Sequence, residues 1–253
     1  MIEVEGIRKA FRNVVAVEDV SFVARDGQIT GLVGPNGAGK TTTLRILYTI
    51  LTPDAGFARV DGFDTVRERG KVQARLGVLP DVRALYHRLT AREHVRYFGR
   101  LHGLRGPRLE RRIDELIADL DMAEFADRRT KGFSRGQAHR VALARCLVHD
   151  PPNLLFDEPT NGLDVASSRA MRALIRRIRD AGRCVLLSSH FMTEVHALCD
   201  RILIMGKGRV IAEGSPDELM RVTGKNNLED VYLAIHGGQP PLPESEAKEA
   251  IRA

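Results

Sequence analysis

The sequence predicts an α/β fold, a mixed sheet flanked by helices, with a helical lobe inserted in its middle. Three observations across the 253 residues point there. A short apolar run ends in a glycine-rich turn and gives way to helical spacing. The middle third is helical in its periodicity. After it, short apolar runs alternate with a helix again.

Taken in order, residues 2–33 read as β structure. Ile2, Val4 and Ile7 open a short strand pattern, and Gln28-Ile-Thr-Gly-Leu-Val-Gly34 is an apolar run closed by glycine, as a buried strand would be. Residues 40–51 place Leu44, Leu47, Ile50 and Leu51 at helical spacing. From 82 to 148 the pattern is helical. Val95, Phe98 and Leu101 mark one helix, and Leu109, Ile113, Leu116, Ile117 and Leu120 mark the next. Ser134 is placed to cap a third that carries Val141, Ala142 and Arg145. Asn153-Leu-Leu-Phe156 and Cys184-Val-Leu-Leu187 read as central strands, joined by a helix with Met171, Leu174, Ile175 and Ile178. Arg201–Met205 and Arg209–Ala212 flank Gly206-Lys-Gly208 as a hairpin. Ser215-Pro-Asp-Glu218 has the cap, first-position proline and third-position acid of a helix start, and Asn227 begins a last short helix with Leu228, Val231, Tyr232 and Ile235. Residues 237–253 hold three prolines and two glycines among charges, the composition of a disordered tail. No internal repeat is visible.

Composition narrows the function classes. Apolar residues at 43% and charged residues at 28% suit a folded domain with a large core. The net charge of +6 favours anionic partners, but the arginines are spread along the chain, and 5% aromatic content without Trp offers few stacking platforms for single-stranded nucleic acid. Cys146, Cys184 and Cys199 are odd in number, form no CxxC pair and lie among apolar residues, which speaks against a disulfide framework or zinc site and for a reducing compartment. The opening Met-Ile-Glu-Val-Glu-Gly has early charges, so no secretory leader is expected, and no apolar run nears the ~20 residues of a membrane helix. A transport role would need a pore from another chain.

The chemistry concentrates in three places. Gly34, Pro35, Asn36, Gly37, Ala38, Gly39, Lys40 and Thr41 fit G-x-x-x-x-G-K-[ST] without a gap. Glycines let the backbone curl so that several N–H groups face one anion, and the following helix adds its positive end. Lys40 can reach the β- and γ-phosphates of a nucleotide, the Thr41 hydroxyl can ligate Mg²⁺, and Thr42 extends the phosphate-contacting set. A glycine-rich turn alone can match such a pattern by chance; the strand before it and the helix after it are the confirming context. Second, Leu154-Leu-Phe-Asp157-Glu158 delivers two acids at a strand end. Asp157 would hold Mg²⁺ through water, and Glu158 would polarise an attacking water as general base. Third, His190 closes Leu186-Leu-Ser-Ser-His190. A lone His is more often structural, but the carboxyl end of a core strand is where an open α/β sheet gathers its ligand.

The ordered set of Gly34–Thr41, Phe133-Ser-Arg-Gly-Gln137, Leu154–Glu158, Asn161-Gly-Leu-Asp164 and His190 resembles the nucleotide-binding domain of ATP-binding-cassette transporters. The resemblance covers residues 1–220 and implies a RecA-like P-loop NTPase core, an N-terminal antiparallel β subdomain and a helical lobe at about 82–148, with 221–236 as a C-terminal helical extension. It implies an ATPase using ATP and Mg²⁺. Ser134, Gly136 and Gln137 would touch the γ-phosphate of ATP held by the opposite subunit, Asp164 would lie in the loop crossing the dimer interface, His190 would contact the γ-phosphate, and Phe11 would stack on adenine. A homodimer would close on ATP, with a separate integral membrane permease as partner, at the cytoplasmic face of the cell membrane and with no nucleic acid.

Three positions depart from the family pattern. Arg135 stands where glycine is commonest in the signature, Phe11 replaces a Tyr, and Asp81 in Gly77-Val-Leu-Pro-Asp81 falls where the family has Gln. The segments Val60-Asp-Gly-Phe-Asp-Thr65, Arg96-Tyr-Phe-Gly-Arg-Leu-His-Gly-Leu104 and Asn227-Leu-Glu-Asp-Val-Tyr232 look like the ATPase subunits of two-component efflux systems of the ABC-2 exporter type, first the sodium-extruding and then the drug-resistance kind. The alternative is a soluble ATPase of the same class acting on ribosomes or DNA. Such proteins commonly carry two cassettes or a long coiled-coil insertion, and neither is seen. A non-catalytic regulator would lack Glu158 or Lys40.

Overall fold

The computed structural model describes residues 1–81 and 84–236. Along the chain run β1 (Ile2–Phe11), β2 (Val14–Ala24), β3 (Ile29–Val33), α1 (Lys40–Leu47), β4 (Ala55–Val60), β5 (Phe63–Asp64), α2 (Arg69–Arg75) and β6 (Leu76–Leu79). Then come α3 (Ala91–Leu101), α4 (Gly106–Asp119), α5 (Arg135–Leu147), β7 (Asn153–Asp157), α6 (Val165–Asp180), β8 (Cys184–Ser189), α7 (Met192–Leu198), β9 (Arg201–Gly206), β10 (Arg209–Gly214), α8 (Pro216–Thr223) and α9 (Leu228–His236).

The strands form one sheet in the order β5-β4-β1-β2-β10-β9-β3-β8-β7-β6. Its first four strands are antiparallel, while β9, β3, β8, β7 and β6 run parallel to one another. Successive side chains on a strand face opposite ways, so each central strand feeds two cores. Leu154, Phe156, Val185 and Leu187 join the cluster under α3 to α9, whereas Leu155, Cys184 and Leu186 join the one shared with β1, β2, β4 and α1. Burial on both faces is why β3, β7 and β8 read as unbroken apolar runs.

The local signals in the sequence are physical caps in the structure. Ser134 and Gln137 close a capping box on α5, and Ser215 and Glu218 close another on α8. Lys207 and Gly208 both take positive φ in the β9–β10 turn, as a tight hairpin requires. Asn227 Oδ1 accepts the Asp230 N–H at 2.8 Å at the start of α9.

Two expectations need correction. The first helix stops at Leu47, because Thr49 turns to φ 67 and throws Ile50 out to 68% exposure. In α3 the inward face is Ala91, His94, Val95 and Gly99, and Leu101 is 64% exposed. Residue 220 lies inside α8, and α9 buries Leu228 and Val231 in the larger core. The tail expected at 237–253 lies outside the described residues. Among the described residues no helix is long and apolar enough to cross a membrane.

Candidate functional site

Strand order does the gathering. β8 lies between β3 and β7, with Val33 opposite Ser189 and Asp157 opposite Ser188. The loop after β3, the acids at the end of β7 and His190 after β8 therefore leave one sheet edge side by side.

The loop after β3 is shaped by close approach. A Cβ on Gly34 would stand 2.5 Å from the Met205 carbonyl oxygen, and one on Gly39 would stand 2.6 Å from that of Ala16. Gly39 also holds φ 104, a conformation that disfavours any side chain, and it ends the turn by starting α1. Among the described residues no side chain caps α1, so its leading N–H groups are left to an anion, which a helix N-terminus favours. Lys40 Nζ donates to the carbonyls of Gly34 at 2.7 Å and Pro35 at 3.2 Å. Burial lowers the Lys40 pKa, while the nearby Glu158 and Asp157 act to raise it.

Around Lys40 opens a cavity of about 470 Å³, walled by Pro35, Asn36, Gly37, Gly39, Thr41 and Thr42 on one side and by Asp81, Asp157, Glu158, Asn161 and His190 on the other. Gly34 and the buried Ala38 stand behind the loop rather than in the wall. Asp157 is buried, and its Oδ1 accepts the Ser188 hydroxyl at 2.6 Å with Thr41 Oγ1 at 3.5 Å. These hard oxygens at the wall of the Lys40 cavity suit Mg²⁺.

Glu158 takes the left-handed φ of 51, which costs a non-glycine residue conformational energy. Its N–H is held by both Ser188 O at 3.2 Å and Ser188 Oγ at 3.1 Å. The effect is to turn the side chain into the cavity, where Oε2 lies 2.9 Å from His190 Nδ1. The His190 ring in turn packs on Phe191, centroids 3.9 Å apart. Asp81 accepts the Asn161 amide at 3.5 Å across the cavity mouth.

The remaining expected residues lie elsewhere. Ser134, Gly136, Gln137 and Asp164 line a second cavity of about 540 Å³ and, among the described residues, none of them lines the Lys40 cavity. Gln137 N–H donates to Ser134 Oγ at 3.2 Å, and Ser134 N–H donates to Gln137 Oε1 at 3.1 Å. Asp164 caps α6 by accepting the Ser167 N–H at 2.8 Å, and that N–H, with the Ser167 hydroxyl, holds its carboxyl below the usual range. The Arg135 side chain lies against Gly162. Phe11 is 44% exposed near the end of the β1–β2 hairpin, with the Lys9 ammonium 5.8 Å from its ring, and the apolar wall of the Lys40 cavity is instead Val14, Val15 and Ala16.

Sequence reasoning assigned no role to Ser188, Ser189, Asn161 or Glu194. For the two serines the available signal was polarity closing an otherwise apolar strand. For Glu194 there was none.

Residues 17–161 match the family described as ABC transporter. The chain is 42% identical to the ABC transporter ATP-binding protein NatA of Bacillus subtilis, over 87% of this chain and 90% of that one. It is 39% identical to the daunorubicin resistance ATP-binding protein DrrA3 of Streptomyces coeruleorubidus, over 93% and 74%. Among solved structures, an ATP-binding subunit of an ABC transporter superposes with TM-score 0.87 at 27% identity, covering 93% of this chain and 99% of that one. The dimeric post-hydrolysis state of the cassette MJ0796 bound to ADP and Pi superposes at 0.77 and 26%, covering 85% and 98%.

Proposed function

Since this chain belongs to the ABC transporter family and is an ATPase of that family, we propose that it is the ATP-hydrolysing subunit of a bacterial export system. It works as a pair of chains that close on ATP and drive a separate membrane permease from the cytoplasmic face. The observation that carries this reading is the split of the expected site between two cavities of one chain. The Lys40 cavity has a phosphate loop, a metal-suited acid and a base, but lacks the Ser134 helix end. Two chains facing each other would complete both sites at once.

In this reading the loop N–H groups and Lys40 bind the β- and γ-phosphates of ATP. Thr41 and Asp157 would hold magnesium, which when bound would neutralise phosphate charge. Glu158 Oε2 takes the proton of the attacking water, and His190 orients that carboxylate through the 2.9 Å contact while facing the γ-phosphate. From the opposite chain, Ser134, Gly136 and Gln137 present the N-terminus of α5 to the γ-phosphate, a favourable place for negative charge. Asp164 holds the crossing loop, Asp81 stands with Asn161 at the cavity mouth where it could meet a metal, and Phe11 is the exposed aromatic face offered to adenine.

The export assignment draws on relatives named for resistance and for Nod factor export, and on the finer likeness to sodium- and drug-extruding ATPases. Residues 1–220 act as the nucleotide-binding domain, and 221–236 extend it. The test is affinity purification of the tagged chain from membranes, followed by measurement of intracellular sodium and drug in cells lacking it. Recovery of a multi-spanning protein and retention of one cargo is the expected result; recovery of ribosomes or DNA with no cargo retained contradicts it.

A further inference from the structure

Behind the Glu158–His190 pair lies a further carboxyl group. Glu194 is on α7 and only 7% exposed. Its Oε2 accepts the Thr160 hydroxyl at 2.7 Å and the Ser189 hydroxyl at 3.2 Å. Thr160 follows Glu158 by two residues, and Ser189 immediately precedes His190. Ser189 Oγ also accepts the Phe191 N–H at 3.1 Å, and the Phe191 ring is the surface on which His190 packs. One oxygen atom thus binds the chain downstream of the base and the residue before the histidine, and the Ser189 hydroxyl carries the connection on to Phe191.

We propose that Glu194 is a positioning residue for ATP hydrolysis: its Oε2 ties the segment after β7 to the segment after β8 and so fixes Glu158 against His190. The proposal rests on the reading of Glu158 as general base. The need for such a tie follows from the backbone. Glu158 at positive φ persists only where its surroundings over-determine it. Upstream, the Ser188 bonds hold it. Downstream, the Thr160–Glu194 bond does. Glu194 Oε1 has no hydrogen-bond partner among the described residues, so the group's hydrogen bonding is concentrated on this one junction.

The geometry separates this role from generic packing. In Glu194→Gln the amide oxygen can occupy the place of Oε2 and accept both hydroxyls, whereas Glu194→Ala removes the acceptor. Steady-state ATPase assays, Mg·ATP calorimetry and thermal melts on the full chain test it. Glu194→Ala should lower kcat by about tenfold to a hundredfold, the usual consequence of ångström-scale misplacement, with KM and nucleotide affinity within about twofold. Glu194→Gln should keep kcat within about threefold. In a Glu158→Gln background, Glu194→Ala should add less than about twofold, because the group it positions is already lost. An unchanged kcat in Glu194→Ala, an equal loss in Glu194→Gln, or full multiplication of the losses overturns the proposal. If Glu194→Ala fails to fold, Thr160→Val and Ser189→Ala each remove one arm without emptying the site, and two unchanged kcat values overturn it equally. Full turnover in Glu158→Gln alone removes the base reading and this proposal with it. Loss in Glu158→Gln with none in Glu194→Ala removes only this proposal.

Discussion

The two halves of the site are organised in opposite ways. Around Lys40 the polar groups bind across elements: Ser188 of β8 bonds Asp157 and Glu158 at the end of β7, Thr41 of α1 reaches the same Asp157, and His190 meets Glu158. Around Ser134 they bind within three residues of themselves, Ser134 with Gln137 and Asp164 with Ser167. The first half is fixed by the sheet and keeps its shape because the core does. The second is a pair of helix ends capped along their own chain and open on the outside. In the proposed pairing, the first half would receive the nucleotide and the second would dock against it from the other copy.

The largest expected effect breaks the first half at its base. Glu158→Gln should retain Mg·ATP binding and lose turnover by about 10²–10⁴-fold in a phosphate-release assay. Lys40→Ala comes next. Losing a charged contact to phosphate should weaken ATP by about tenfold to a hundredfold in calorimetry. Ser134→Ala acts on the other half and sharpens the contrast. It should leave ATP affinity of the dilute chain unchanged and cost about 1 kcal/mol of stability as a lost cap, read by denaturant unfolding. A weakened ATP affinity there would mean the two halves are coupled within one chain.

The smallest effect concerns the segment after α5. His149 Nε2 lies 2.9 Å from the Leu76 carbonyl, and its ring stacks on His102 at 3.6 Å, tying the end of α3 to the core. Burial first, and His102 second, push the His149 pKa down to about 4. An unfolded histidine takes its proton near 6.5. Below that pH the unfolded chain binds a proton that the folded chain refuses, so stability should decline from about pH 6.5 toward 4 and level off beneath. Thermal melts of His149→Gln, which cannot titrate, should fall less steeply over that window than those of the parent.

What was legible in the sequence follows the same division. The phosphate loop, the Ser134 and Ser215 caps and the β9–β10 turn are contiguous, so local chemistry displays them. Asn153, a polar residue opening an apolar strand, had no local reason. Its Oδ1 accepts the Met1 amine at 2.8 Å, and its amide donates to Asp61 Oδ2 at 3.0 Å and the Arg75 carbonyl at 3.3 Å, partners that only the fold brings together. Glu194 stayed hidden for the same reason. Leu101 was misplaced because three-residue steps from Val95 drift off the buried face of α3, and Ile50 because α1 ends at Leu47 where the chain turns. The short β6 and the segment of β4, β5 and α2 went unread because neither holds one period long enough to register.

Two copies completing each other's sites is the claim on which the mechanism turns, and sedimentation of the Glu158→Gln chain in Mg·ATP reads it directly. The account predicts a dimer that forms only with nucleotide, binds two ATP, and is lost when Ser134 is also replaced by a bulky acid. A monomer at saturating Mg·ATP would contradict it.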